Sequence, residues 1–349
     1  MTRPDLTSRI ALGRRFRMPI WGSVLGVALV AELVWFSVIN RNFFGGGVGM
    51  LNQVGSFLPT GILALGLGLV ILSGNIDLSA GALASLSSVV VGVALTDGIN
   101  LVLSIVIAVA VAAAIGFING IIVALLGIDS LLVTLATQFI ASSLAVTLAG
   151  DSPPSGFSNS FLTIGQGSLG PVPVILIVFL LMAVVVALTV GRTRFGRRVV
   201  LIGYSPSASR YTSITVVRSL TAVFTASGAI AGVAGVVLAS YFNSGRSDSG
   251  IELLLPAITC VVLGGIDIFG GRGRIGEVVV AVLLLGYLTQ GMLNSGFSSL
   301  TASMVTGLLL IVALIVKIGY ERSDNESLLA AIKRRVLARV LPPGPAKSR

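Results

Sequence analysis

The sequence contains no histidine and one cysteine, Cys260, and only 10% of its 349 residues are charged. Each shortage removes a class of function. Without histidine or clustered cysteine there is no ligand set for a structural or catalytic zinc ion. Without a second thiol no disulfide forms within the chain; Cys260 lies in an apolar run and reads as a small buried hydrophobe. No glycine-lysine phosphate-binding loop occurs, so nucleotide hydrolysis, if used, belongs to another subunit. Ionisable groups are nearly missing from the apolar runs: Asp77, Asp129 and Asp267 fall at run ends, and Glu32 alone sits near the middle of one. A charge at the bilayer centre costs roughly 2.5–3.5 kcal/mol on insertion scales and usually marks an ion pathway. The distribution therefore argues against a proton- or sodium-coupled carrier, and against a membrane-embedded enzyme with clustered acids; Glu32 reads as a structural residue satisfied by a partner.

What the chain does have is apolar surface: 55% of residues are apolar and the mean hydropathy is +1.03. No polar segment is long enough to fold separately, so the expectation is an all-α polytopic membrane protein with no soluble catalytic domain. Ten spans are expected, at roughly 18–39, 52–73, 78–95, 99–126, 131–149, 171–191, 216–241, 252–268, 275–295 and 299–318. Around this transmembrane domain (18–318) lie an N-terminal tail, 1–17, and a C-terminal tail, 319–349. The basic start resembles a secretory signal, but its apolar run is span-length and no small-residue cleavage pattern follows Asn40, so it is read as retained.

The net charge of +10 is not a nucleic-acid patch, because the arginines occupy the gaps between apolar runs without interleaved aromatics. Arg3, Arg9, Arg14, Arg15 and Arg17 precede the first span. Arg192, Arg194, Arg197, Arg198, Arg210 and Arg218 fall between the sixth and seventh, and Arg272 and Arg274 between the eighth and ninth; only Arg41 and Arg246 fall outside. Basic residues mark the cytoplasmic side, so both termini are expected there, in a bacterial inner membrane. Glycines within spans, such as Gly61, Gly66, Gly68, Gly228, Gly232 and Gly235, suit close helix packing. The turn-rich segment 150–170 is expected to lie against the outer surface. A weak internal echo relates Leu72–Leu78 to Val262–Ile268 at an offset of 190, the kind of repeat transporters often carry.

Asp77, followed by Leu78-Ser79-Ala80-Gly81, is placed to cap the amides that open the third span. Asp267 precedes the glycine-rich basic turn 270–274, where an ion pair with an arginine would be exposed and worth little. The segment from Gly191 to Arg218 is long, basic and cytoplasmic, and Ser205-Pro206 is a helix-start signal. A short helix over about 206–213 is therefore expected, suited to docking a soluble partner.

These stretches resemble the permease family of sugar-uptake ATP-binding-cassette importers, over nearly the whole chain. The family's Gly-Gly-Ile-Asp-Leu-Ser-Val-Gly signature appears as Gly74-Asn75-Ile76-Asp77-Leu78-Ser79-Ala80-Gly81, and its Asn-Gly pair as Asn119-Gly120. Ser130–Thr137 matches a family segment whose proline and glycine are both replaced here. Thr193-Arg194-Phe195-Gly196-Arg197 resembles the lead-in to the family's ATPase-docking segment, matched by Gly203, Pro206, Ala208, Arg210 and Ile214. Leu263-Gly264-Gly265 with Gly270-Gly271-Arg272-Gly273 is a second hallmark. Ser240–Asp248 leading into Leu255–Thr259 is similar to permeases of autoinducer-2 and rhamnose importers, with Leu201–Pro206 and Gly286–Gly291 favouring the former.

The resemblance implies no cofactor and three kinds of partner: cytoplasmic ATP-binding subunits, a second permease chain (a second copy or a sister subunit) and a periplasmic substrate-binding protein. Arg246, Asp248 and Glu252, outside by topology, are candidates for meeting the binding protein. A neutral, hydroxyl-rich ligand calls for amide and hydroxyl partners, so Asn52, Gln53, Asn119, Thr137, Gln138, Tyr287, Gln290 and Asn294 are candidates for lining the path. Each also fits the plainer role of bonding helices together. The competing class is an energy-independent facilitator or secondary sugar carrier, which would need neither ATPase nor binding protein.

Overall fold

Lipid offers no hydrogen bonds, so a chain this apolar crosses it only with its backbone internally paired. The computed structural model describes residues 19–39, 49–205, 215–309, 311, 312 and 315. Among them the only strands are two-residue pieces, β1 (Ser168–Leu169) and β2 (Val172–Pro173), paired antiparallel; nearly all the rest is helix. The helices are α1 (Pro19–Ile39), α2 (Gly49–Asn52), α3 (Leu58–Leu72), α4 (Ala80–Thr96), α5 (Leu101–Leu126), α6 (Ser130–Ala149), α7 (Asn159–Gln166), α8 (Val174–Arg192), α9 (Arg194–Tyr204), α10 (Val216–Phe242), α11 (Leu254–Leu263), α12 (Ile275–Asn294) and α13 (Ser299–Leu309).

Among the described residues, α1, α5, α6, α8, α10 and α12 are each long and apolar enough to cross a bilayer, and the bent pair Gly49–Ser56 with α3 adds a seventh if counted as one span. The α4 helix, Ile251–Leu263 and α13 are apolar but shorter. At the centre stands α3, every residue of which is buried. Its neighbour α10 is also largely buried, whereas α1, α5, α6 and α8 turn exposed apolar side chains outward, among them Val38, Leu125, Phe139 and Leu181. That inside-out pattern is what lipid contact produces.

Small residues set the closest helix approach. Gly116 and Gly120 on α5 face Gly228 and Thr221 on α10, so near that a methyl on Gly120 would come within 2.7 Å of the Thr221 Cα. With no hydrophobic drive between helices in lipid, such backbone contact supplies the packing energy. Helix ends follow sequence chemistry: the Asn100 side chain accepts from Leu103 N at 2.9 Å, Asp129 from Leu131 N at 2.8 Å and Thr193 from Gly196 N at 3.1 Å.

The contacts sort the helix ends into two groups. At one end, Trp21 Nε1 donates to Leu263 O at 2.9 Å, Gly22 lies against Glu277, and Gly271 N donates to Leu72 O at 2.9 Å. The starts of α1 and α12 and the ends of α3 and α11 thus meet there, with Arg272 and Arg274 close by; Phe36 packing on Gly291 shows that α1 and α12 run parallel. At the other end, Gly92 near the close of α4 meets Pro154 and Phe157, and Phe157 N donates to Asn243 Oδ1 at 2.9 Å beyond α10.

Two segments depart from the expected spans, and the segment 150–170 between two others carries structure of its own. The second breaks at Phe57, where Gly49–Ser56 meets α3 at 56°. The eighth ends at Leu263 rather than 268, because Gly265 takes φ 79° and Gly265 N and Ile266 N close the helix onto Val262 O and Val261 O. The segment 150–170 contains α7 and half of the β1–β2 hairpin. The internal echo has a local structural counterpart: Gly74 N and Asn75 N close α3 onto Ile71 O and Val70 O in the same manner. Asp77 Oδ1 accepts from Ser79 N and Asp267 Oδ1 from Phe269 N, both at 3.0 Å. The aspartate turns match at an offset of 190 and the helix closures at 191, so the equivalence slips by one residue.

Candidate functional site

Asp77 is fully buried between α3 and α4, and a carboxylate there has to be hydrogen-bonded. Its Oδ1 accepts from Ser79 N at 3.0 Å and from Ser79 Oγ at 2.6 Å, and its Oδ2 accepts from Ser227 Oγ on α10 at 3.0 Å. Asn119 Nδ2 donates to Ser79 Oγ at 3.1 Å, and Thr137 Oγ1 donates to Asn119 Oδ1 at 2.6 Å. One polar chain therefore ties α4, α5, α6 and α10. Thr134 Oγ1 adds a bond from Leu78 N at 3.0 Å. Sequence reasoning named Asp77, Asn119 and Thr137 separately; it missed Ser79 and Ser227, which join them. Ser79 stood within the quoted signature, whereas no pattern singled out Ser227.

The other path candidates divide by place. Asn52 and Gln53 lie at the bend before α3; Asn52 is exposed. Tyr287 is buried on α12, its ring edge-on to Phe57 at 5.2 Å and its hydroxyl donating to Met50 O at 3.3 Å. Gln138 and Gln290 are half-buried and Asn294 is exposed. Asn119 and Thr137 bond each other, while Asn52, Gln53 and Tyr287 gather at the α2–α3 bend. Glu32 is half-buried on α1, and its Oε1 is enclosed without a hydrogen-bond partner among the described residues.

Of the expected ATPase-docking residues, Gly203 is described, while Pro206, Ala208, Arg210 and Ile214 lie outside the described residues, as do both tails. Gly203 sits at a three-way backbone crossing. An added methyl there would overlap Leu72 O and reach 2.6 Å from Gly271 N. Gly270, at φ 87°, lies on Gly74, and the Arg272 guanidinium lies 5.8 Å from the Tyr204 ring centroid. The last turn of α9 is thereby locked between the end of α3 and the turn after α11. The opposite face of α9 presents Arg194, Arg197 and Arg198, all exposed.

At the far end, Gly245 N donates to Pro154 O at 2.8 Å, Gly165 N to Ser240 Oγ at 2.8 Å, and Gln166 Nε2 to Tyr241 O at 2.9 Å. These bonds bind the 150–173 segment to the end of α10. Arg246 and Asp248 form a two-bond pair, Nε–Oδ1 at 3.1 Å and Nη2–Oδ2 at 2.8 Å, with Arg246 also 5.6 Å from the Phe242 ring centroid. From Gly245 the chain runs along α4: Gly245 packs on Ser88 and Val89, and Gly250 N donates to Ser85 Oγ at 2.9 Å. Glu252 follows, exposed, in a 3-10 turn that opens α11.

Residues 49–314 match the protein family described as "Branched-chain amino acid transport system / permease component". The chain is 36% identical over 301 residues, covering 84% of it and 91% of the relative, to the "Autoinducer 2 import system permease protein LsrD" of Escherichia coli (strain K12), and equally to those of Escherichia coli O157:H7 and Shigella flexneri. No solved structure matches the chain. With the family matched across most of its length and helices that present their apolar sides to lipid, the chain belongs to this permease family and is a multi-pass membrane component of a transport system.

Proposed function

We propose that the chain is the membrane-spanning subunit of a binding-protein-dependent ATP-binding-cassette importer that brings autoinducer-2, or failing that rhamnose or another monosaccharide, across a bacterial inner membrane. The observation that carries this is the 36% identity to autoinducer-2 permeases extending over 91% of their length. The family is described by branched-chain amino acid transport, whereas the polar groups gathered at the α2–α3 bend are amides and a phenol, which suit a neutral hydroxylated ligand.

Ten spans are supported by six long helices, the bent pair and three shorter apolar helices. The parallel run of α1 and α12 fits an inside-to-outside crossing for both, with both termini cytoplasmic. In this reading Gly203, Pro206, Ala208, Arg210 and Ile214 form or lead into the segment that docks an ATP-binding subunit. Arg246 and Asp248 stand at the outer rim, where the binding protein delivers its ligand. A second permease chain completes the path, and Asp77 serves as a structural cap.

The test is uptake of labelled autoinducer-2, and separately rhamnose, in cells lacking only this chain, with and without restoring it. Loss of one activity that returns on restoration identifies the ligand. Uptake of both unchanged by the deletion would overturn the ligand assignment.

A further inference from the structure

We infer that the non-helical segment between α10 and α11 lines the transport path and that Glu252 is a contact there for the hydroxyls of a neutral ligand; this rests on the two-chain importer proposed above. Two rulers place the segment deep. Gly250 packs against Gly81, in the first turn of α4, about 22 Å of helix from Thr96 at 1.5 Å per residue. Independently, Leu254 stands about 14 Å of helix from Leu263, whose carbonyl accepts from Trp21 at the opposite end of the molecule. Against a hydrocarbon core of about 30 Å, the first measure puts Gly250 about three-quarters of the way in from the outer side and the second puts Leu254 about half-way, so residues 250–254 lie well inside it.

The outer half of this crossing is thus made without a long helix, and irregular backbone at membrane depth persists only where protein buries it or water reaches it. Both conditions are met, on opposite sides. Gly245 and Gly250 are buried on α4, the latter with its amide on Ser85 Oγ, whereas Arg246, Asp248 and Glu252 are exposed. A charge facing lipid at the depth of Glu252 is strongly disfavoured. The exposed side therefore faces water, and water at mid-membrane is the path itself.

The three charges are not equivalent. Arg246 and Asp248 bond each other, and the Arg246 charge also acts on Glu252, but the Glu252 carboxylate accepts no hydrogen bond among the described residues. An acceptor-only group with two oxygens suits two neighbouring hydroxyls of a small polyol, through charge-assisted bonds.

The test uses right-side-out membrane vesicles holding the complete importer. Cys260 is 3% exposed, so an introduced thiol reports with little background. Glu252→Cys is expected to react with a permanently charged methanethiosulfonate, while Leu181→Cys, on the outward apolar face of α8, does not. With labelled autoinducer-2, Glu252→Gln is expected to lower uptake per ATP hydrolysed about tenfold, the loss of roughly one charge-assisted hydrogen bond. Binding-protein-stimulated ATPase activity stays near wild type, and Glu252→Asp restores part of the uptake. A Glu252→Cys that resists the reagent, or a Glu252→Gln that transports normally per ATP, overturns the inference. Absence of autoinducer-2 uptake by the wild type would instead overturn the ligand reading, and the labelling result would still decide where Glu252 lies.

Discussion

Adding one methyl group at Gly203 should damage the molecule well beyond that group's size. The Cα of Gly203 lies in a crossing of three backbones, with Leu72 O overlapping the space of an alanine Cβ and Gly271 N 2.6 Å from it. An ordinary carbon contact needs a further angstrom. Neither neighbour is the far end of a flexible side chain: Leu72 O closes α3 and accepts from Gly271 N at 2.9 Å. Relief requires α9 to move bodily or that bond to break. Overpacking of this kind costs about 1–3 kcal/mol, and the bond contributes about 1 kcal/mol more, roughly 2–4 kcal/mol together. For a chain of this size that corresponds to a fall in apparent melting temperature on the order of 3–5 °C.

The assay is the thermal stability of the detergent-purified permease followed by size-exclusion fluorescence, beside co-purification of the ATP-binding subunit. Gly26→Ala is the matched control, because a Cβ there meets nothing within 4 Å. Replacing a helical glycine at such a site is neutral or slightly stabilising. Gly203→Ala should melt well below wild type and recover less ATPase, since α9 leads directly into the proposed docking segment. Equal melting temperatures for Gly203→Ala and Gly26→Ala would refute the claim that the crossing is tight.

Asp77→Ala strands three donors, Ser79 N, Ser79 Oγ and Ser227 Oγ, at about 1–3 kcal/mol for each left unsatisfied; it should melt far lower than Ser227→Ala, which removes a single donor at about 1 kcal/mol, and the two melting curves decide it. Gly120→Leu forces α5 from Thr221 and Phe224 on α10, so the monodisperse size-exclusion peak should disappear. Arg210→Glu or Ala208→Glu should abolish co-purification of the ATP-binding subunit while the permease still inserts; unchanged co-purification would count against docking through this segment.

The positions of the helices were legible because lipid demands long apolar runs and because glycine, aspartate and arginine mark their ends. The seventh span was read as 216–241 and α10 ends at Phe242. Hydropathy failed where a span is not one helix. Residues 252–268 are apolar enough to read as a continuous crossing, but the helix closes at Leu263 on the Gly265 turn. The segment 241–252 reads as lying outside by topology, and its polarity signals water without saying whether that water is beyond the membrane or within a path through it. The same ambiguity covered Asn119 and Thr137. An amide and a hydroxyl within spans have one composition whether they line a path or bond helices, and only their pairing at 2.6 Å shows them bonded to each other.

The recurrence of one local device at the ends of α3 and α11 gives the junction at Gly203 its reach. Each helix closes on a positive-φ glycine and passes into an aspartate turn, yet the turn after α3 folds back under α10, whereas the turn after α11 extends to Gly271 and bonds the end of α3. The last turn of α9 rests on both. Because packed backbone yields discretely rather than smoothly, a displacement at α9 has two ways to propagate: along α3, buried on every side, or along α11, about 14 Å long, whose far end carries Glu252. The first would have to shift the core of the molecule. The second needs only a short helix, bounded by an irregular segment at one end and a glycine turn at the other, to slide on the face of α3 against which it packs, with the 3-10 turn before it moving along α4. On these contacts α11 is the cheaper lever between the proposed docking segment and the proposed path.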